Sequence, residues 1–181
     1  HHDLRVDATP PAAWGDRFSV TGRFNQPLLA ESSDWRRWRG TVHASLPGAD
    51  VRTLRQPVTL PFDLTQGQGA LRAWVDVVDG SATAATLDVA LRDVALRLQP
   101  ELDPLGFAEV TGRLVGRHDE RDTELAASQL GFVTADGVRW PASNGALKWR
   151  RGAGGGVTGG ELTAERLDLA LMTQVAKRLP M

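Results

Sequence analysis

Imidazole moves protons and binds metals near neutral pH, so the two internal histidines, His43 and His118, are the first residues to test for chemistry. In a strand, His43-Ala44-Ser45 puts the imidazole and the hydroxyl on one face. Nucleophilic catalysis also needs an orienting group within hydrogen-bond reach, and nothing in the sequence supplies one there. His118 lies in the charged run RHDERD, which reads as a solvated hairpin tip, because zinc asks for three or four ligands at set spacings. Gly154 to Gly159 spells G-x-G-x-x-G, but a phosphate loop needs a helix directly after it and an acidic residue about 20 positions on. The chain has nearly ended by then, so these glycines read as a hairpin turn. Acidic residues number 22, yet no spacing singles out a pair suited to glycoside hydrolysis. With no cysteine there is neither a thiolate metal site nor a disulfide framework. The expectation is a chain that is not an enzyme and has no catalytic residue, metal or cofactor.

The denser cluster is Trp35-Arg36-Arg37-Trp38-Arg39. Indole and guanidinium groups together suit membrane interfaces and anionic head groups. With Ser33 or Asp34 as N-cap and Gly40 as stop, the same residues read as a helix of one to two turns. Trp35 and Trp38 would then share a helix face and pack it on a sheet. Head-group contact and packing both stand as readings. Trp74, Trp140 and Trp149 fall in strand-like segments and read as sheet-face residues, which would line a groove if that face is open.

The elements that must position these side chains are mostly strands. From Ala70 to Leu98 apolar and polar residues alternate, with Leu87, Val89 and Leu91 on one parity against Asp88 and Arg92. After Asp93 the apolar parity moves to Val94, Leu96 and Leu98, which predicts a bulge or short turn within antiparallel sheet. LRVDATPP, DRFSVTGRF, TVHASL, VTGRLVGR, Thr123 to Thr134, GVRWPA and ALKWRR are further strands. Turn chemistry at Gln66 to Gly69 precedes entry into the sheet, PELDPLGFAEV reads as a loop, and Ala135-Asp136-Gly137 and Ser143-Asn144-Gly145 read as hairpins. VTGRF, VTGRL and VTGGE begin at Val20, Val110 and Val157, too unequally spaced to be a repeat. A short helix is expected from near Asp50 to before Pro57. Another is expected where Leu167, Leu171, Val175 and Leu179 recur, unless LTAERLDL opens as a strand and Asp168 caps a shorter helix. The fold expected is mainly β with a few short helices (α+β): an extended, curved antiparallel sheet with a C-terminal helix.

Charge and composition narrow the partners. The 21 basic and 22 acidic residues nearly cancel, which argues against nucleic acid, and no nucleotide loop is legible. At 181 residues and 41% hydrophobic content the chain can bury a core as one domain or as a piece of a longer one. No stretch approaches the ~18 apolar residues of a membrane span and no signal-peptide pattern opens the chain, so a secretion or anchoring element is expected outside it. His1 and His2 read as a tag remnant and Met181 as an artificial boundary, leaving 3–181 as one segment.

The phrases DWRRWRGTVHASLPGADV, LPFDLTQGQGALRAWVDV and LDLALMTQVAKRLP, in this order and with these separations, resemble those of YhdP family proteins, relatives of AsmA and TamB. The likeness runs from about Phe24 to Pro180. It implies a periplasmic segment of a very large protein, held in the inner membrane by a helix outside this chain. It also implies phospholipid movement toward the outer membrane, maintenance of the permeability barrier, and long taco-like antiparallel sheets with an apolar groove. The family supplies no catalytic residues. On parity, the candidate lipid-contacting set is Trp74, Leu87, Val89, Leu91, Val94, Leu96 and Leu98, and the candidate head-group set is Trp35, Arg36, Arg37, Trp38 and Arg39. The partners expected are phospholipid acyl chains and neighbouring β-rich segments of the same protein. The other reading is a structural or interaction module of the cell envelope, in which the alternating strands close on a sealed core.

Overall fold

The computed structural model describes residues 1–9, 16–25, 37–52, 63–97, 104–118, 122–151, 157–166, 169 and 173. Nine strands follow one another: β1 (His2–Ala8), β2 (Phe18–Asn25), β3 (Arg39–Asp50), β4 (Asp63–Val78), β5 (Ser81–Arg97), β6 (Leu105–His118), β7 (Asp122–Thr134), β8 (Arg139–Arg151) and β9 (Val157–Ala164). Each pairs antiparallel with its neighbour in sequence, giving one curved sheet in the order β1 to β9 that stays open at β1 and β9.

Local chemistry explains the turns. Asp79 and Gly80 adopt φ of 51° and 72°, the left-handed pair that a two-residue hairpin needs between β4 and β5. At the expected Ala135–Gly137 hairpin, Gly137 has φ 91° and its N–H donates to the Thr134 carbonyl at 2.9 Å. The parity change after Asp93 is a bulge: Asp93 takes φ 52°, and Leu91 and Val94 on either side of it are buried in one cluster with Val51.

Several expectations yield to strand pairing. Gln66 to Gly69 is not a turn but lies inside β4, where the register with β5 shifts. In a strand, glycine marks a bulge or a close backbone approach. Gly69 marks the close approach, at φ 147° with the Ala90 carbonyl where a Cβ would stand. PELDPLGFAEV is not wholly a loop, because β6 starts at Leu105 and pairs Phe107 with Val94. GVRWPA and ALKWRR form the single strand β8 rather than two strands joined at Ser143-Asn144-Gly145. The amide of Asn144 is used elsewhere. Its Oδ1 accepts from the Gln129 N–H at 2.9 Å, where Gln129 bulges at φ 52°, and its Nδ2 donates to Glu165 Oε2 at 2.7 Å. Asn144→Ala is therefore expected to cost about 1–2 kcal/mol by leaving the bulged N–H without its partner, measured as a lower midpoint in urea with unchanged slope.

Among the described residues the expected helices are hardly represented. Arg37 occupies a single 3₁₀ position, and β3 already begins at Arg39, paired with Asn25, so the strand takes residues assigned to a helix ending at Gly40. Asp50 ends β3 and Val51 and Arg52 form a turn, while the rest of the expected helix before Pro57 lies outside the described residues. Leu169 and Thr173 are helical and Thr173 Oγ1 donates to the Leu169 carbonyl at 2.7 Å. Leu167, Leu171, Val175 and Leu179, whose spacing predicts the C-terminal helix, lie outside the described residues.

Burial among the described residues is shallow. The tightest cluster is Val51, Leu91 and Val94, with Leu64, Leu71, Phe107 and Val110 packed around it. Phe107 meets Phe132 edge-on at 5.3 Å and Phe132 stacks on Trp140 at 5.6 Å, extending this cluster across β6, β7 and β8. Trp140 Nε1 donates to Ser143 Oγ at 3.2 Å, which satisfies the indole N–H.

Candidate functional site

Residues directly opposite each other in a sheet share a face, so the registers decide which side chains line up. One row runs Leu4, Gly22, Val42, Val75 and Ala85, then Gly116, Leu125, Leu147 and Leu162. The next row on that face runs Val6, Val20, Ala44, Ala73 and Leu87, then Leu114, Ala127, Gly145 and Ala164. Both cross all nine strands without a polar side chain. At about 4.8 Å per strand, they form an apolar surface on the order of 40 Å long. Among the described residues no second layer packs on it. Leu4, Val6, Leu125, Leu147 and Leu162 on it are exposed, Leu162 to 72%. At Gly116 an added Cβ would meet nothing within 4 Å.

The opposite face is polar. In its middle Arg113 donates to both oxygens of Asp88, at 2.5 and 2.9 Å, and its guanidinium lies 5.9 Å from the Trp74 ring centre, which in turn is 5.0 Å from His43. Thr41 donates to Asp76 at 2.9 Å, Lys148 meets Glu124 at 3.5 Å and Arg150 meets Asp122 at 3.0 Å. The hydrogen bonds from Arg113 hold the Asp88 carboxyl below the usual carboxylate range; partial desolvation opposes this, and the charges of Arg113 and Arg72 add to the lowering. The resulting stabilisation is complete above the ordinary aspartate pKa and is lost as pH falls through the lowered folded value. Asp88→Asn is thus expected to cost under about 1 kcal/mol at pH 7, since the pair is half exposed, and to flatten the loss of stability below about pH 4 in acid melts.

The candidate residues divide between these faces. Leu87, Val89, Leu91, Val94 and Leu96 share the apolar face of β5, opposite Ala73, Leu71 and Leu64 on β4. Trp74, grouped with them on sequence, is on the other face, since Ala73 and Val75 hold the apolar parity in β4. Leu98 lies outside the described residues, as do Trp35 and Arg36. Trp38 is at one end of the apolar face, stacked on His2 at 4.8 Å and tilted against Phe24 at 5.2 Å. Arg37 is exposed beside it, and Arg39 holds Asp79 at 3.2 Å at the hairpin rim. Trp38 thus packs on the rings of His2 and Phe24.

Parity within β5 did not reveal the leucines and valines of β1, β3, β4, β7, β8 and β9. The signal was present, as in Leu147 and Trp149 against Lys148 and Arg150, but only the register joins those strands into a row. The glycine run proves to lead into strand β9 rather than a helix. Among the described residues no three His, Asp or Glu side chains gather as a metal site, and no helix is long and apolar enough to cross a membrane. Surface depressions of about 550 and 710 Å³ open among charged residues at the two ends of the sheet, the first bordered also by Trp149 and the second by Leu4 and Gly22 of the apolar face.

The described strands thus form an open antiparallel sheet with one continuous apolar face and one charged face. The chain belongs to the YhdP family, whose model, described as YhdP protein, matches residues 1–181, its whole length. No curated protein and no solved structure matches it.

Proposed function

We propose that this chain is a non-catalytic periplasmic stretch of a protein anchored in the inner membrane, and that its apolar face carries phospholipid acyl chains toward the outer membrane in support of the envelope barrier. The observation that supports this reading is the pair of unbroken apolar rows across nine strands, left without a covering layer among the described residues. Exposed apolar patches of this extent are costly in water and mark interaction surfaces. Family membership adds an association with the cell envelope and lipid transport. Each acyl methylene that moves from water onto such a face gains about 0.8 kcal/mol. The face exceeds the length of one acyl chain, which spans half of a hydrocarbon core about 30 Å thick. A passive surface of this kind gives no direction to transport, so vectorial bias comes from partners or from the two membranes.

Tryptophan quenching tests the assignment of faces. Trp140 belongs to the aromatic cluster of the apolar side and Trp74 to the polar side. In single-tryptophan variants mixed with phospholipid brominated on its acyl chains, the Trp140 protein is expected to lose most of its emission and the Trp74 protein little. Equal quenching of the two, or none, would remove the acyl-chain reading and favour the sealed interaction module.

A further inference from the structure

The depression of about 550 Å³ at the β6–β9 end holds an ordered charge pattern. One polar-face row there reads Arg117, Glu124, Lys148 and Glu161, positive and negative in alternation across four neighbouring strands. Its closest internal contact is the loose 3.5 Å approach of Lys148 to Glu124, whereas Arg113 and Asp88 elsewhere on the same face close to full hydrogen bonds. Arg117 and Glu161 make no ion pair within 4 Å among the described residues, and so stand at the two ends of the row with charge to offer. Trp149, from the apolar face of β8 and two residues from Leu147 of the apolar row, borders the same depression.

A row of two cations and two anions is matched by neither a polyanion nor a simple cation. It complements a zwitterion, with phosphate set toward Arg117 and Lys148 and ammonium toward Glu124 and Glu161, since opposed charges favour register and orientation. A lipid whose tails lie along Leu125 and Leu147 would reach this row over the rim of the sheet, where Thr123 and Trp149 of the apolar side line the same depression as the charges. We propose that the β6–β9 depression binds the aminoalkyl-phosphate head group of a zwitterionic phospholipid, an assignment that rests on the acyl-chain reading above. The head group then selects among lipids that the apolar rows alone would accept equally.

The test uses the native-length protein and probes that carry no acyl chain, so its failure is separable from failure of the apolar face. Phosphoethanolamine and inorganic phosphate are titrated separately while the resonances of the Trp149 indole and the His118 ring are followed. A saturable response to phosphoethanolamine is expected, weakened about fivefold in Glu161→Gln, the scale of one exposed ion pair of about 1 kcal/mol. Glu161→Gln leaves the weaker response to inorganic phosphate unchanged, while Arg117→Gln weakens both. No saturable response, or a phosphoethanolamine response that Glu161→Gln does not alter, overturns the assignment. With vesicles, the wild-type protein is expected to take up phosphatidylethanolamine in preference to phosphatidylglycerol. Equal uptake of the two contradicts head-group selection, and uptake of neither contradicts the acyl-chain reading on which it rests.

Discussion

Leu87→Asp is expected to strip bound lipid from the protein and abolish its contribution to the envelope barrier while the sheet stays folded. Leu87 stands between Ala73 and Leu114 in the second apolar row, near the middle of the nine strands. An acyl chain lying on that row would have to pass an unpaired carboxylate. Charged groups in a hydrocarbon environment cost about 2.5–3.5 kcal/mol even when partly relieved by water, so occupancy should fall on the order of 100-fold. Free of lipid, the carboxylate faces the uncovered side, which limits the loss of stability. Thr86→Asp, one residue away and on the polar face opposite Trp74, is the matched control and should keep both lipid and function. Lipid co-purification and detergent sensitivity of cells carrying each variant, read beside a thermal melt, separate the outcomes. Lipid retained by Leu87→Asp would mean that acyl chains do not use this face.

Gly69→Val is expected to give the largest loss of stability. Glycine is required there twice over, by φ of 147° and by the Ala90 carbonyl, which occupies the space a Cβ would need. The side chain would force β4 from β5 two residues from Gly67, which packs near Val51, Leu91 and Val94 beside the register shift. Backbone strain and overpacking together should cost about 3–5 kcal/mol. For a chain of this length that is a fall of about 10 °C in Tm. Gly116→Ala makes the contrast, because its Cβ would enter open space on the apolar face and the change should stay within about 0.5 kcal/mol. Similar melts for the two variants would mean that β4 and β5 do not approach as described.

Strand content and the chemical character of the two faces were legible in the sequence, because period-two alternation is a local signal. The bulge at Asp93 was legible for the same reason: parity must change when an extra residue enters, and Leu91 and Val94 show the change. Glycine, asparagine and proline misled at Gln66–Gly69, Ser143–Gly145 and Pro104–Gly106. These residues favour turns locally, but in this sheet they serve bulges and close approaches that only a partner strand explains. Asn144 is the clearest example, since its amide staples a bulge on β7 fifteen residues earlier in the chain. The polar-face position of Trp74 needed the pairing of Ala73 with Leu87, a register that no single strand encodes. The helix assigned up to Gly40 rested on capping residues alone, and at Arg39 and Gly40 pairing with β2 takes the backbone into β3 instead.

The central claim, that acyl chains travel along one face of this sheet, is tested most directly by photo-crosslinking in living cells. A photoreactive residue is placed in the native-length protein at Leu87 or Leu147 on the apolar rows, and at Asp88 or Thr86 on the opposite face. Phospholipid adducts at Leu87 and Leu147, with none at Asp88 or Thr86, are the predicted result. A functional, normally expressed protein without adducts at Leu87 and Leu147, or with equal adducts on both faces, would contradict the account.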